Sequence, residues 1–197
     1  MTGSGIDWGA LIAYAGLALL VMAGFWTILP RIYGTTGEMT RSHLIRRALE
    51  LAELQPGTKM YDLGAGMGRA AILAAREFGA RAVAIEVEPV HCLVAWLWTL
   101  FSGVLFRVSI RRGNLFDADW GDADVIFVHL SPVLIARLRP QLKRALQAGA
   151  RVVSVYFPIE GWKPQAIDIG NLLFCYQMPP QAGTVDDFLH ETILGAQ

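Results

Sequence analysis

The stretch that most constrains this chain is residues 59–75, which reads KMYDLGAGMGRAAILAA. A short apolar run ending near Leu63 leads into a turn with three alternating glycines, and an alanine-rich segment follows from about Arg69. This order predicts a β-strand, a glycine turn and an α-helix, the layout of a nucleotide-binding βα unit. A second apolar segment, residues 81–88, predicts the next strand and places Glu86 where such folds position a carboxylate that binds ribose hydroxyls.

The details of the turn decide which nucleotide it can hold. A dinucleotide fingerprint would need a glycine where this chain has Arg69, and a P-loop would need a lysine that the turn lacks. The remaining pattern suits S-adenosylmethionine, because this cofactor has no phosphates, carries an ammonium group for Asp62 to anchor, and needs the close backbone approach that glycine permits. The alternative is a glycine-rich turn that arose by chance. We expect S-adenosylmethionine to be bound by Asp62, Gly64, Gly66, Gly68 and Glu86.

The N-terminal part of the chain is strongly apolar. Residues 8–29 carry no charged side chain, and a helix rising about 1.5 Å per residue over this run would cross a hydrocarbon core of about 30 Å. A cleaved signal peptide would begin with positive charges, whereas the only charged side chain ahead of the run is that of Asp7. The run predicts one transmembrane helix over residues 8–29, in contact with the lipid bilayer.

Arginines follow this run and none precedes it. Because basic residues mark the cytoplasmic side of a span, this asymmetry predicts a single-pass protein of the plasma (inner) membrane with its C-terminal domain in the cytoplasm. The predicted organisation is an N-terminal segment over 1–33, a domain over 34–178 and a tail over 179–197. The arginines concerned are Arg31, Arg41, Arg46 and Arg47.

Composition bears on possible partners. The chain has 17 basic and 17 acidic residues and a formal net charge of zero, which favours no nucleic-acid partner. Its two cysteines, Cys92 and Cys175, match neither a metal-ligand spacing nor a disulfide framework. We therefore expect no metal site and interpret both cysteines as buried apolar residues.

One predicted helix of the domain has an unusual surface. Residues 89–106 follow the second strand, and from 92 to 106 they contain no charge and four aromatic side chains. A helix that covers a sheet normally has an outward polar stripe, so this segment needs a cover. We expect it to lie in the membrane interface or to pack against a protein partner or the transmembrane helix. A fully internal helix is the alternative.

The remaining segments alternate between strands and helices. Strands are predicted over 106–111, 123–130 and 150–157, with a further strand over 169–178, and Pro140 is expected to split one helix into 132–139 and 140–147. Helices are also predicted over 40–54 and from residue 69. Five alternating strands imply a parallel sheet with helices on both faces, which binds ligands at the carboxyl ends of its strands.

Four polar residues fall at those carboxyl ends and are expected to converge on one crevice. They are Asp62, Glu86, Asn114 and His129. In an S-adenosylmethionine site the third strand ends beside the adenine, so Asn114 and Leu115 are candidates for binding that ring. An equally good interpretation of Asn114 is a capping residue in a Gly-Asn turn.

Four segments together resemble the class I S-adenosylmethionine-dependent methyltransferases. They are YDLGAGMGR, AIEVEP, RRGNLF and LKRALQAGARVVSVYFPIEGWKP. Within that class, residues 34–168 are similar to the small protein-lysine methyltransferases, the archaeal broad-specificity and mitochondrial ATP synthase c-subunit group. The resemblance implies a Rossmann-like, doubly wound, mostly parallel seven-stranded sheet. It also implies methylation of lysine in a membrane-associated protein, and members commonly carry a hydrophobic N-terminal segment.

The chain departs from this family at two places. The family usually has an aspartate where this chain has Met67, and a Pro-aromatic-Val-Pro-Thr run where this chain has residues 36–40, TGEMT. That run borders the cofactor and substrate channel in the relatives. The departures put catalytic activity in question while leaving the expected fold unchanged.

A lysine nucleophile with a pKa of about 10.4 must lose a proton before it accepts a methyl group. His129 and Glu160 are the candidates for a general base or a carboxylate that steers the ammonium. His129 is equally well interpreted as a hydrogen-bonded core histidine. Tyr156 and Trp162 are candidates for lining a lysine channel, although aromatic residues more often simply pack.

Two other function classes remain open. The chain is alternatively a catalytically inactive methyltransferase-like subunit or assembly factor of a membrane protein complex. A third possibility keeps the catalysis and takes a lipid or quinone as the methyl acceptor.

Overall fold

The structure of the protein, a computed structural model, describes residues 7–32 and 40–194, without the side chains of 21–32, 193 and 194. The chain divides into two compact units, residues 1–38 and 39–197. In the described residues, the first unit contains one helix and the second contains all the strands.

The helix of the first unit is α1, Trp8–Ile32. It forms over the apolar run for which a transmembrane span is predicted. In the part of the chain that the structure describes, no helix has both the length and the apolar character that a membrane crossing needs. The side chains of residues 21–29 of the predicted span lie outside the described residues. The prediction of a transmembrane helix, and of bilayer contact through it, is therefore not supported.

The described residues of the second unit form nine strands. Their bounds are β1 Lys59–Leu63, β2 Arg81–Glu86, β3 Val108–Arg112, β4 Val125–Val128, β5 Arg151–Val155, β6 Trp162–Lys163, β7 Ala166–Asp168, β8 Leu173–Gln177 and β9 Gln181–Ala182. Seven of them form one sheet in the order β3-β2-β1-β4-β5-β8-β7, and β6 and β9 form a separate two-stranded ribbon. Strands β1 to β5 are parallel to one another, whereas β8 is antiparallel to both of its neighbours, β5 and β7. The predicted mostly parallel seven-stranded methyltransferase sheet is confirmed.

Five α-helices are described in residues 40–194. They are α2 Ser42–Leu51, α3 Arg69–Glu77, α4 Pro89–Phe101, α5 Pro132–Ala145 and α6 Val185–Leu194. Apolar residues of alternate positions in the strands form two buried clusters, one shared with α2 and α3 and the other with α5. Because successive strand residues point to opposite faces, these clusters lie on the two sides of the sheet. The central strand β4, VIFV, is buried throughout, as a parallel strand covered on both faces must be.

Helix α5 corrects the prediction that Pro140 divides it. The helix is continuous from Pro132 to Ala145 with Pro140 inside it. A proline in a helix interior costs about 3 kcal/mol, because it removes one hydrogen bond and crowds the preceding turn. Here Ile135, Leu138 and Leu142, on both sides of the proline, are buried against the sheet. Their packing holds the two halves in line.

Helix α4 is shorter than predicted and is not internal. It ends at Phe101, and in it only Ala95 and Thr99 are buried. It contacts α3, β2 and β3, so a narrow stripe packs on the domain while apolar side chains on its other face are exposed. The alternative of a fully internal helix is wrong for these described residues.

The segment after β8 has local structure of its own. Thr184 and Asp187 form reciprocal contacts at the start of α6: the Thr184 N–H donates to Oδ2 of Asp187 at 2.7 Å, and the Asp187 N–H donates to Oγ1 of Thr184 at 3.2 Å. This is a capping arrangement that begins a helix. Lys163 of β6 also pairs with Glu191 of α6, so the segment is tied to the second unit.

Candidate active site

The register of the parallel strands brings the predicted site residues to one edge. Leu63 at the end of β1 is paired with Ile85 of β2 and with Val128 of β4. Glu86 is paired with Arg112 at the end of β3. The glycine turn, Glu86, residues 113–114 and His129 therefore leave neighbouring strands at the same level, as expected for a ligand site in such a sheet.

The glycine turn is held by its backbone. The N–H groups of Gly64 and Ala65 both donate to the carbonyl of Ile85, at 2.9 and 3.0 Å. Gly64 and Gly68 have φ of 80° and 74°. A side chain at Gly64 would lie 2.8 Å from Cδ2 of Leu130, and one at Gly68 would lie 3.0 Å from Cβ of Ala95. These two glycines are therefore required by packing as well as by conformation.

Gly66, the middle glycine, is different. Its φ is 53°, and a Cβ built on it meets nothing within 4 Å. The turn is thus packed at both ends and open in the middle. A ligand can approach the backbone closely at this open position, and a side chain there would obstruct it.

Glu86 is oriented by three backbone donors. Its Oε2 accepts from the N–H of Gly66 at 2.7 Å, and its Oε1 accepts from the N–H groups of Val87 and Glu88 at 2.9 and 3.0 Å. The residue is buried at the end of β2. These bonds orient the carboxyl group of Glu86 beside the glycine turn, where each oxygen has further lone pairs for ribose hydroxyls.

Asp62 lies beneath the turn and is buried. Its burial, and secondarily the negative charge of Glu86, raise its pKa to about 7, while a hydrogen bond from the backbone of Ala71 acts in the opposite direction. A carboxyl group in this position gains from a cation that restores its charge. The methionine end of S-adenosylmethionine carries such a cation.

Asn114 and Leu115 follow β3 with contacts of their own. Oδ1 of Asn114 accepts from the N–H of Phe116 at 3.1 Å, and its Nδ2 donates to Oδ2 of Asp117 at 2.9 Å. The carbonyl of Leu115 accepts from Nε1 of Trp120 at 3.0 Å. These bonds shape the turn, which is the capping interpretation of Asn114. A role of either residue beside adenine stays a prediction.

His129 follows β4 and joins two other segments. Its Nδ1 is hydrogen-bonded to Oγ1 of Thr40 at 2.5 Å. Its ring meets the ring of Tyr156 edge-on, with 5.1 Å between centroids. Tyr156 has a φ of 68°, rare for a residue with a side chain, and its N–H donates to the carbonyl of Leu172 at 2.7 Å. Strained backbone of this kind clusters at functional sites.

Thr40 is the residue of this cluster that the sequence patterns do not single out as a site residue. The available signal is its alignment with the last position of the family's Pro-aromatic-Val-Pro-Thr run, whose two prolines are absent here. The side-chain contact with His129 links positions far apart in the chain, and spacing alone does not predict such a contact.

The two other candidates have different surroundings. Glu160 is exposed, and its carbonyl accepts from Nη1 of Arg139 in the middle of α5 at 2.5 Å. Trp162 is buried in the core, edge-on to Tyr176 at 5.8 Å between centroids. A catalytic role of Glu160 stays a prediction, and Trp162 has the packing role of a core aromatic.

Comparison with known proteins decides the family. The ANTKMT methyltransferase domain family matches residues 62–166, just over half of the 197 residues. The chain belongs to the ANTKMT methyltransferase domain family. It is therefore an S-adenosylmethionine-dependent methyltransferase, and the resemblance read from its motifs is confirmed.

Two curated relatives of this methyltransferase show how far the similarity extends. A protein-lysine N-methyltransferase of Saccharolobus islandicus (strain REY15A) is 36% identical over 129 residues, which cover 65% of this chain and 80% of the relative. The adenine nucleotide translocase lysine N-methyltransferase of Mus musculus is 34% identical over 159 residues, which cover 80% of this chain and 68% of the relative. Both alignments are longer than the part of the chain that the family model matches.

A solved structure agrees with the fold of this methyltransferase. The RNA methyltransferase from Salinibacter ruber, solved with S-adenosyl-L-homocysteine, is 36% identical and superposes with a TM-score of 0.71 over 74% of this chain and 97% of its own. The comparisons do not support the alternative of an inactive subunit or assembly factor.

The residues of this methyltransferase fit its cofactor. The open position at Gly66, the oriented carboxylate of Glu86 and the buried carboxyl of Asp62 match a ligand with a ribose and an ammonium group but no phosphate. S-adenosylmethionine is the cofactor, as predicted.

Proposed function

We propose that this methyltransferase modifies the ε-amino group of lysine residues in a protein substrate. The observation that carries the proposal is that the two relatives described above are lysine N-methyltransferases by name. The geometry supports it, because the segments after β4 and β5 place the imidazole of His129 and the phenol ring of Tyr156 side by side at the level of the cofactor turn.

S-adenosylmethionine would supply a methyl group on its sulfonium: the lysine nitrogen would form a bond to the methyl carbon as the carbon–sulfur bond breaks and S-adenosylhomocysteine leaves. The protein must therefore hold the cofactor, orient the lysine, exclude water and remove a proton from the ammonium. Asp62 and Glu86 serve the first task. Tyr156 offers an aromatic edge and face for the lysine side chain and its charge.

His129 is proposed to receive the proton. When Nδ1–H donates to Thr40, the imidazole lone pair is on Nε2, the state a base requires. Thr40 is then a positioning residue that orients the imidazole ring.

Replacing Thr40 tests this role. Thr40→Val should lower kcat by about tenfold or more and displace the pH profile of kcat, because the imidazole loses its orienting partner. Thr40→Ser, which keeps the hydroxyl, should retain most activity, and KM for S-adenosylmethionine should change little in both. Equal kcat in Thr40→Val and the unmodified protein would exclude Thr40 as a positioning residue for His129.

The acceptor class is tested by following labelled methyl groups. The full chain is incubated with labelled S-adenosylmethionine and either extracted protein or RNA, with Glu86→Gln as the cofactor-site variant and Asp186→Asn, an exposed carboxyl on α6, as its matched control. Label on lysine, lost in Glu86→Gln and retained in Asp186→Asn, is the expected result.

RNA is the second candidate acceptor, because the Salinibacter ruber protein is named an RNA methyltransferase. The zero net charge of this chain weighs against it, since nucleic-acid binding usually relies on a basic surface. Label in RNA and none in protein would replace the lysine proposal with this one.

We also propose that the substrate is a membrane-associated protein and that it is modified at the cytoplasmic side of the plasma (inner) membrane. The support for this proposal is the uncharged run over residues 8–29 and the arginines that follow. Fractionation of cells that express the full chain checks this. Recovery of the protein entirely in the soluble fraction would contradict it.

A further inference from the structure

The exposed side of α4 is the most apolar surface in the described part of the second unit. Ten large apolar side chains within residues 87–106 are each at least 36% exposed, and Phe101 and Phe106 reach 83% and 100%. Soluble monomers rarely expose a continuous apolar patch of more than a few hundred Å². The ten, called the α4 surface below, are Val87, Val90, Leu93, Trp96, Leu97, Trp98, Leu100, Phe101, Leu105 and Phe106.

The α4 surface is continuous around the helix. At about 100° per residue, the seven exposed positions between Val90 and Phe101 cover roughly 200° of the circumference. The buried stripe of Ala95 and Thr99 lies opposite. The helix thus packs on the domain along one narrow line and presents more than half of its surface outward.

Apart from Glu86, which is buried, and Glu88, whose side chain is 14% exposed at the start of α4, the charges in this part of the chain are positive. Residues 89–113 contain no Asp or Glu, and their charged residues are Arg107, Arg111 and Arg112, beside His91. All three arginines are exposed, and none forms an ion pair with a described residue. The ring of Tyr61 lies 6.0 Å from Arg111, which places that arginine on the other face of β3. Arg107 directly follows Phe106, so a cation borders the most exposed apolar residue.

We propose that the α4 surface inserts into the headgroup and upper acyl region of a membrane with anionic lipids. The outer face of α4 has no hydrogen-bonding side chain except two indoles. Specific protein interfaces carry about one hydrogen bond per 100–200 Å², so this face fits a protein partner poorly. Tryptophan is favoured at the membrane–water interface and arginine binds anionic headgroups. At thirteen residues, α4 is about 20 Å long, too short to cross a bilayer, so the helix lies along the interface.

Helix α4 packs next to the cofactor turn, so the membrane contact also determines how far that turn lies from the membrane. Cβ of Ala95 would lie 3.0 Å from a side chain at Gly68 of the cofactor turn. Insertion of the α4 surface therefore brings the cofactor turn to within one helix diameter, about 10 Å, of the membrane. The contact does not depend on lysine being the methyl acceptor.

The test places a fluorescent label on the α4 surface of the full chain. Phe101→Cys carries an environment-sensitive nitrobenzoxadiazole group, and Val133→Cys on α5, 70% exposed on the other face of the sheet, is the matched control. Both are made with Cys92→Ala. Cys175 is 1% exposed and does not compete for the label. Vesicles of phosphatidylcholine with and without phosphatidylglycerol are added.

The expected result is a several-fold rise and blue shift of the label at 101 with phosphatidylglycerol vesicles, quenched by spin-labelled lipid, and no change at 133. Arg107→Gln should raise the vesicle concentration for half-maximal change by about fivefold, and Arg144→Gln on α5 should not. Three results would overturn the proposal: no response at 101, an equal response at 133, or emission at 101 that is already blue-shifted in buffer and unaltered by vesicles. The last result would show that α1 or a second copy covers the surface.

Discussion

Asp62 combines two properties that conflict in the free protein. It lies at the carboxyl edge where a cationic ligand is expected, and its burial beside Glu86 makes its ionised form costly, with a pKa of about 7. Functional sites often retain such groups at the expense of stability. Glu86, in contrast, is stabilised by three backbone donors without any ligand.

Asp62→Asn should stabilise the cofactor-free protein above pH 7. Between an ordinary pKa of 3.8 and the folded value of about 7, the folded protein keeps a proton that the unfolded chain has lost. This group therefore lowers the free energy of unfolding as pH rises through that window, by up to about 4 kcal/mol, and has no further effect above it. Unfolding by urea at pH 5 and pH 8 measures the gain of the variant, which should be larger at pH 8. The exposed control Asp186→Asn should show no such difference.

Cofactor affinity should rise with pH up to about 7. If the ammonium of S-adenosylmethionine binds the ionised carboxylate, Asp62 must release its proton below that pH, and affinity should fall by up to about tenfold per pH unit. Calorimetric titration in buffers of different ionisation enthalpy measures the released proton directly. A proton release that persists in Asp62→Asn would assign the effect to another group.

At the scale of elements, the glycine turn obeys the local backbone preferences of its residues, and α5 does not. The turn follows them, because positive φ at its glycines allows close packing on Leu130 and Ala95. Helix α5 continues through a proline that would ordinarily interrupt a helix, because buried side chains on both sides of Pro140 hold it straight. A local penalty of a few kcal/mol is thus overridden where the stabilisation from tertiary packing is larger than that penalty.

Gly66→Ala should separate binding from stability. An alanine at φ of 53° is strained but meets no atom of the protein, so the free energy of unfolding should fall by about 1 to 2 kcal/mol. Affinity for S-adenosylmethionine should fall by more than about tenfold, because the methyl group occupies the open side of the turn. Gly57→Ala, at φ of 83° and equally free of contacts, is the matched control. It should cost similar stability and leave affinity unchanged; a loss of affinity in both would assign the effect to strain.

At the scale of the molecule, the two antiparallel strands complete the sheet beyond β5. Strand β8 pairs with β5 and β7, and Tyr176 of β8 accepts a hydrogen bond from the N–H of Ile159 at 2.8 Å in the buried core. Its burial raises the pKa of the Tyr176 hydroxyl. This contact fixes the segment after β5 against the last strand of the core.

Tyr176→Phe should lower the free energy of unfolding by about 1 to 3 kcal/mol, because the buried N–H of Ile159 loses its only described acceptor. Tyr61→Phe is the comparison. Its hydroxyl donates to Asp122 at 2.8 Å, whose side chain is 64% exposed, so water replaces the lost bond and the cost should stay below about 1 kcal/mol. Urea unfolding of both variants measures the difference. Equal costs would show that burial of the group that loses its hydrogen bond has no influence here.

The sequence by itself determined the βα order, the mostly parallel sheet and the positions of Asp62, the three glycines and Glu86. These features follow from apolar periodicity and glycine spacing, which are local patterns that can be recognised directly in the sequence. The strand-end rule for parallel sheets then predicts where their side chains meet. The family resemblance supplied the expectation of seven strands and the proposal that lysine is the methyl acceptor.

Only the tertiary structure decided the rest. The contact of Thr40 with His129, the raised pKa of Asp62, the continuity of α5 and the exposure of α4 all depend on which surfaces meet after folding. An uncharged segment such as 92–106 has the same sequence whether it is internal or exposed. Burial, dielectric environment and long-range hydrogen bonds are properties of the packed chain, because they require partners that the chain brings together from distant positions.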